Sequence, residues 1–208
     1  MSNTRAPIEL PARILDFCWQ ISTEKPLVVS VEPKSFAVPG ECYSNVEEQV
    51  RRQGGSAVYG WQIWDWPAVF TEAEFHAVWS APDGSLHDIT PKIDGDGAIV
   101  FLPDTSRIYE GKRVDNIRRP ASANPIITDF IRLCEANFRR FGQTENGATL
   151  EGRDADLYKS FELARNFISE IIAHGANRNS LCICGSGERY KNCHELKLRR
   201  LIDGISCI

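Results

Sequence analysis

The sequence predicts an α+β fold, and three observations predict it. Short segments rich in β-branched and aromatic residues occupy the middle of the chain between turn signals: "SAVYGWQIWDW" (56–66), "EFHAVWS" (74–80), "LHDIT" (86–90) and "GAIVFLP" (97–103). Segments with apolar residues at helical spacing flank them on both sides. Near the C-terminus, "LCICGSGERYKNCHE" (181–195) crowds three cysteines and a histidine into thirteen positions with almost no apolar residues of its own.

Each element follows in order. "ELPARILDFCWQIS" (9–22) sets Leu10, Ile14, Phe17 and Ile21 at helical spacing, and "KPLVVSV" (25–31) reads as a strand. "ECYSNVEEQVRRQGG" (41–55) predicts a short helix, with Glu47 and Glu48 early, Arg51 and Arg52 late, and Gly54-Gly55 to stop it. After the β region, turn-rich "RRPASANP" (118–125) leads to two amphipathic helices at about 126–141 and 154–174. The first carries Ile127, Phe130, Leu133 and Phe138; the second carries Leu157, Phe161, Leu163, Phe167 and Ile171. The expected organisation is an α+β body over 1–120, a helical extension over 121–176 packed on it, and a small knuckle over 177–200.

At 208 residues the chain suits one substantial domain plus an appendage. A net charge of −4 gives no general case for nucleic acid. No apolar run approaches the ~18–20 residues that span a bilayer. The opening "MSNTRAPIEL" lacks a signal-peptide layout, so the expected location is cytoplasmic. Seven cysteines are too few for a secreted disulfide scaffold, and the number is odd. Four of them (Cys18, Cys42, Cys134, Cys207) stand alone in the sequence. Clustered thiols in a reducing compartment more often hold metal.

Cys182-x-Cys184, eight intervening residues, then Cys193-His194 supply three thiolates and an imidazole. That set suits tetrahedral Zn²⁺, and four ligands leave no open position for a catalytic water. With little core of its own, the segment would draw its folding free energy from the metal. The expectation is a structural zinc site. Asn179, Cys182, Cys184, Gly185-Ser186-Gly187, Tyr190-Lys191, Cys193 and His194 together resemble the SEC-C zinc motif. That motif is found at the tail of the preprotein-translocase ATPase SecA and on many bacterial proteins. Ile183 stands where the family usually has proline. The resemblance implies docking on a protein partner, such as a chaperone or the ribosome. Residues 178–200 carry six basic residues against two acidic ones. Either these favour an anionic surface, protein or ribosomal RNA, or they are the solvated face of a small module.

The body offers one constellation with chemical content: Cys42, His76 and Asp88. A cysteine at a helix start meets the positive end of the dipole, which favours thiolate. A histidine can serve it as base and then as acid, and an aspartate can hold the imidazole in place. The turn "APDG" (81–84) suits a three-residue loop with Gly84 in the left-handed region. That register puts His76 and Asp88 on one face as diagonal neighbours, whereas a two-residue turn would put them on opposite faces.

"ECYSNV", "EFHAVW" and "LHDITP" resemble the papain-like and transglutaminase-like cysteine hydrolases, and "CYSNV" is similar to the cysteine helix of protein N-terminal glutamine amidohydrolases. The resemblance implies a papain-like antiparallel sheet with N-terminal helices. It also implies Cys42 as nucleophile, His76 as general base and acid, Asp88 as orienting carboxylate, and a protein or peptide amide or thioester as substrate. The other reading stays open. Cys42, Val46 and Val50 share a four-residue spacing that fits a core thiol, and Ser44 as N-cap of a capping box would leave Cys42 outside the helix. The chain would then be a non-catalytic, zinc-dependent interaction adaptor. Trp61, Trp64 and Trp66 either pack in the core or wall a cleft. His87, on the opposite face from Asp88, is a rival base.

Overall fold

A computed structural model describes residues 4–7, 9–93, 95–144 and 149–204. Cys207, the last of the lone cysteines, lies outside the described residues. The chain forms two compact units: Met1–Pro67 with Thr71–Lys112, and Ala68–Phe70 with Arg113–Ile208.

In the first unit, helix α1 (Ala12–Trp19) precedes strand β1 (Leu27–Val31), and helix α2 (Cys42–Gln53) follows it. Strands β2 (Ser56–Trp66), β3 (Phe70–Ser80), β4 (Leu86–Asp88) and β5 (Ala98–Pro103) come next. The strands lie in the order β2-β5-β1-β4-β3, and β2 also pairs with β3, which closes five strands into a barrel. The expected papain-like antiparallel sheet is corrected: the strands close into a mixed barrel, in which β1 and β4 run parallel, Ser30 opposite His87. The reason is parity. A closed ring with an odd number of strands cannot alternate direction all the way round, so one neighbouring pair must run the same way. The pairings β1–β5, β2–β5 and β3–β4 are antiparallel.

Alternation then sorts the side chains. Val29, Val78, Ile99 and Phe101 form one buried cluster, and Cys42, Val46, Ala77, Trp79 and Ile89 form another beneath α2. Each fully buried valine, isoleucine or phenylalanine among them contributes about 1.5–3 kcal/mol. Two polar contacts fix the ends of α2: the Tyr43 hydroxyl donates to Phe75 O at 2.8 Å, and Trp79 Nε1 donates to Gly54 O at 2.9 Å. At Gly60 a Cβ would fall 2.3 Å from Leu102 O, so only glycine lets β2 approach β5 this closely.

The β3–β4 hairpin has the three-residue loop that its sequence predicts. Gly84 has φ +86°, Gly84 N donates to Ala81 O at 2.8 Å, and Ala81 N donates to Ser85 O at 2.8 Å. Trp79 then pairs with His87 and Ser80 with Leu86. His76 and Asp88 therefore face the same way.

The second unit contains β6 (Ile117–Pro120), α3 (Pro125–Phe141), α4 (Gly152–Ala173) and α5 (His194–Asp203). Asn124 caps α3 by accepting from Ile126 N, and its amide donates to Ala176 O at 3.0 Å. Buried Ile126, Phe130 and Leu133 on α3, Phe161, Ile168 and Ile171 on α4, and Leu198 and Ile202 on α5 make its core. Leu163, expected on the apolar face of α4, is exposed, so that face is narrower than its sequence suggests.

Candidate functional site

Among the described residues, each unit holds a cluster of chemically capable side chains. In the first, Cys42 is the first residue of α2, with Glu41 as N-cap. The Ser44 hydroxyl donates to Glu41 O at 3.2 Å and caps no N–H, so the capping-box arrangement does not form. Asn45 holds the approach to the helix: Oδ1 accepts from Val38 N at 2.9 Å, and Nδ2 donates to Val38 O and to Thr90 Oγ1. That amide is fully engaged. It braces the segment before Cys42.

His76 Nε2 lies 3.0 Å from Asp88 Oδ2, and since a carboxylate only accepts, the imidazole donates there. Asp88 Oδ1 accepts from Thr90 N at 3.0 Å, and Oδ2 also takes Lys92 Nζ at 2.6 Å. Lys92 Nζ donates on to Gln62 Oε1 at 2.8 Å. His76 is 5 % exposed, Asp88 0 % and Cys42 6 %. Gln62 and Lys92 carry no signal in the sequence beyond a polar residue between buried Trp61 and Ile63, and a lysine four residues after Asp88.

Burial opposes the charged form of His76, but the charge and hydrogen bond of Cys42 and the contact with Asp88 outweigh it and raise the imidazole to about 10. Burial likewise pushes Asp88 upward, and the His76 and Lys92 contacts overcome it, bringing the carboxyl down to about 2. The cluster opens into a cavity of about 760 Å³ lined by Cys42, Gln62, Trp64, Glu74, His76 and Lys92, among others. The tryptophans divide between the two expected roles. Trp61 is core and donates to Asp104, whereas Trp64 walls the cavity and donates to Glu74 Oε2 at 2.8 Å. His87 binds Glu32 and Ser85 instead and does not line the cavity.

In the second unit a tight turn gathers Cys182, Cys184, Cys193 and His194. Cys182 N donates to Glu188 O at 2.8 Å, and Gly185 and Gly187 both take positive φ to make the reversal. A single 3-10 turn, Tyr190–Asn192, then delivers Cys193 and His194 at the start of α5. The four ligand atoms lie within 4.8 Å of one another. His194 Nδ1 is 3.2 Å from the sulfurs of both Cys182 and Cys193, and the sulfurs of Cys184 and Cys193 are 3.6 Å apart. A zinc tetrahedron with Zn–S of roughly 2.3 Å and Zn–N of 2.0–2.1 Å has edges of roughly 3.6–3.8 Å, so the residues fit that ion. Burial pushes the Cys182 thiol up to about 11 and lowers the imidazole of His194, with Lys197 adding to the latter.

Beneath the knuckle, buried Glu195 accepts from Arg178 at 3.0 Å and pairs with Arg199 at 2.7 Å, and Arg199 also reaches Asp129 on α3 at 3.7 Å. With Arg189 donating to Asn179 O, at least three of the six basic residues of this segment are engaged within the unit.

A family model for the SEC-C motif matches residues 178–196. The protein translocase subunit SecA of Bordetella petrii is 26% identical over 90 residues, which is 43% of this chain and 8% of that protein. The chain thus spans less than a tenth of the length of the curated relative it matches. No solved structure matches the chain, and none of the comparisons supports a papain-like body. Among the described residues, no helix is long and apolar enough to cross a membrane.

Proposed function

We propose that this chain is a zinc-binding SEC-C protein whose first unit is a cysteine hydrolase acting on an amide or thioester of a protein or peptide. One observation carries the reading: Cys42 opens a helix at the wall of a cavity, against an imidazole whose other side is held by a buried carboxylate. Cys42 sulfur attacks the substrate carbonyl carbon, and the C=O electrons move onto oxygen. As they return, the bond to the amine or thiol leaving group breaks and His76 gives that group its proton. Water then attacks the thioester, His76 takes the proton from water, and Cys42 leaves as thiolate. Asp88 keeps the imidazole oriented and stabilises its charged form.

The zinc knuckle has a closed ligand set and takes no part in this chemistry. SEC-C motifs are protein-interaction elements, and the knuckle here would bring the first unit to its protein partner. The test is iodoacetamide labelling of the zinc-loaded protein, resolved by peptide mass spectrometry. An active thiolate labels at Cys42 at least about tenfold faster than free cysteine near pH 6, and His76→Ala removes the advantage. Labelling only after denaturation would sink the hydrolase. It would favour the second reading, a non-catalytic adaptor, for which the packing of Cys42 against Val46, Ala77, Trp79 and Ile89 speaks.

A further inference from the structure

A second cavity, of about 250 Å³, lies within the second unit, where β6, α3 and α4 meet. Three arginines and one acid line it. Arg113 and Asp115 come from the segment before β6, Arg118 from β6 itself, and Arg165 from α4. The Arg118 side chain is only 9 % exposed, and its Nη1 donates to Asp115 Oδ1 at 3.2 Å and to Asn116 O at 3.3 Å. Arg165 Nη2 donates to Glu162 Oε2 at 2.7 Å. A guanidinium carries five donors, so that contact places Arg165 without using it up. Gln143, just beyond α3, donates to Arg113 O at 2.8 Å and ties that segment to the helix end.

The other wall is aromatic. Tyr158 on α4 is 40 % exposed, and its ring meets Phe141 edge to face, 5.3 Å between centroids. Phe141 meets Phe161 in the same way at 6.3 Å, so the exposed ring rests on a packed base. A ring held like this offers a flat ligand a large contact at small cost in side-chain entropy.

We infer that this cavity binds a small phosphate monoester carrying a flat ring, with the phosphate among Arg113, Arg118 and Arg165 and the ring against Tyr158. The arginines arrive from three different elements, so their donors suit a tetrahedral group better than a planar carboxylate. Burial of Arg118 strengthens the pull, because charge acts there through a lower dielectric than water. Size sets the ligand class. The volume falls just below the ~300 Å³ of the smallest drug-sized pockets, so the cavity takes a small molecule rather than a folded partner. Neither the thiol of the barrel nor the ligand set of the knuckle lines it, so the inference stands apart from both.

The test is calorimetric titration of the zinc-loaded protein with phenyl phosphate, inorganic phosphate and benzoate. Phenyl phosphate should bind saturably, about tenfold more tightly than inorganic phosphate, because the ring adds its contact with Tyr158. Benzoate should bind at least about tenfold more weakly than phenyl phosphate. Arg165→Gln and Arg113→Gln, both at exposed positions where folding tolerates the change, should each weaken phenyl phosphate about tenfold or more. Tyr158→Leu should lower phenyl phosphate affinity about tenfold and leave inorganic phosphate within about twofold. Arg200→Gln removes the same charge from an exposed position on α5 and should leave affinity within about twofold. The site is overturned if phenyl phosphate does not saturate, or if both cavity-arginine variants bind it as the wild type does. An Arg200→Gln loss equal to that of Arg165→Gln also overturns it, since net charge alone would then explain binding. Benzoate matching phenyl phosphate overturns the choice of phosphate, and an unchanged Tyr158→Leu overturns the ring contact.

Discussion

Both units set a histidine against cysteine sulfur, and the two pairings have opposite character. In the barrel, His76 has one sulfur partner and a buried carboxylate on its Nε2, and its charged form is favoured. In the knuckle, His194 Nδ1 lies 3.2 Å from two sulfurs, and burial together with Lys197 favours its neutral form. A charged imidazole repels a metal ion and suits proton transfer, whereas a neutral one suits coordination. The difference therefore comes from what surrounds the pair. Asp88 favours the charged imidazole in the first, and two further thiols complete a set compatible with zinc in the second.

Stripping the metal gives the largest separation. A strong chelator, or Cys193→Ser, should unfold residues 178–204, since structural zinc supplies about 10–16 kcal/mol to modules of this kind. Hydrogen exchange resolved by mass spectrometry should show protection lost there and kept in β1–β5. Protection surviving in the knuckle would mean that Glu195 and its arginines hold it without metal.

Asp88→Ala should act on the barrel alone. Removing a buried carboxylate that holds both His76 and Lys92 costs about 3–5 kcal/mol. Urea unfolding of the zinc-loaded protein reads this, and a shift under 1 kcal/mol would show that the pair is not buried as described.

The finest separation is in pH. His76 is raised from its ordinary 6.5 to about 10, so its contribution is whole below about 6.5 and is lost as pH climbs toward 10. Asp88 is lowered from 3.8 to about 2, so its contribution is present above 3.8 and is lost as pH falls toward 2. The knuckle should respond in the other sense, because its thiols lose protons to take metal and bind more tightly as pH rises. Denaturation midpoints of the barrel between pH 6.5 and 10 should fall in the wild type and flatten in His76→Gln.

Much of this is legible in the sequence, and for local reasons. The hairpin register follows from Pro82 and Gly84, and it places His76 beside Asp88 without reference to anything distant. The knuckle is legible because all four ligands fall within one short segment. What escaped is non-local or tertiary. The parallel β1–β4 pair is a property of ring closure that no single strand carries. Lys92 and Gln62 stand 30 residues apart and meet only across the barrel wall. α5 was missed because the ligand pair masks the four-residue spacing of Leu198 and Ile202 that follows it.

Ring closure also sets a timetable. β1 pairs with β4 and β5, Ser30 with His87 and Leu27 with Phe101, so its partners lie far downstream. Pairing at such separation is slow, because a long loop must be brought together before any contact rewards it. In a chain emerging from its N-terminus, the helix headed by Cys42 is made well before the strands that carry His76 and Asp88 and complete the cavity. The thiol lacks this full setting until the last strand is in place. On the hydrolase reading proposed above, the site would stay silent on a nascent chain and come into service only with the finished fold.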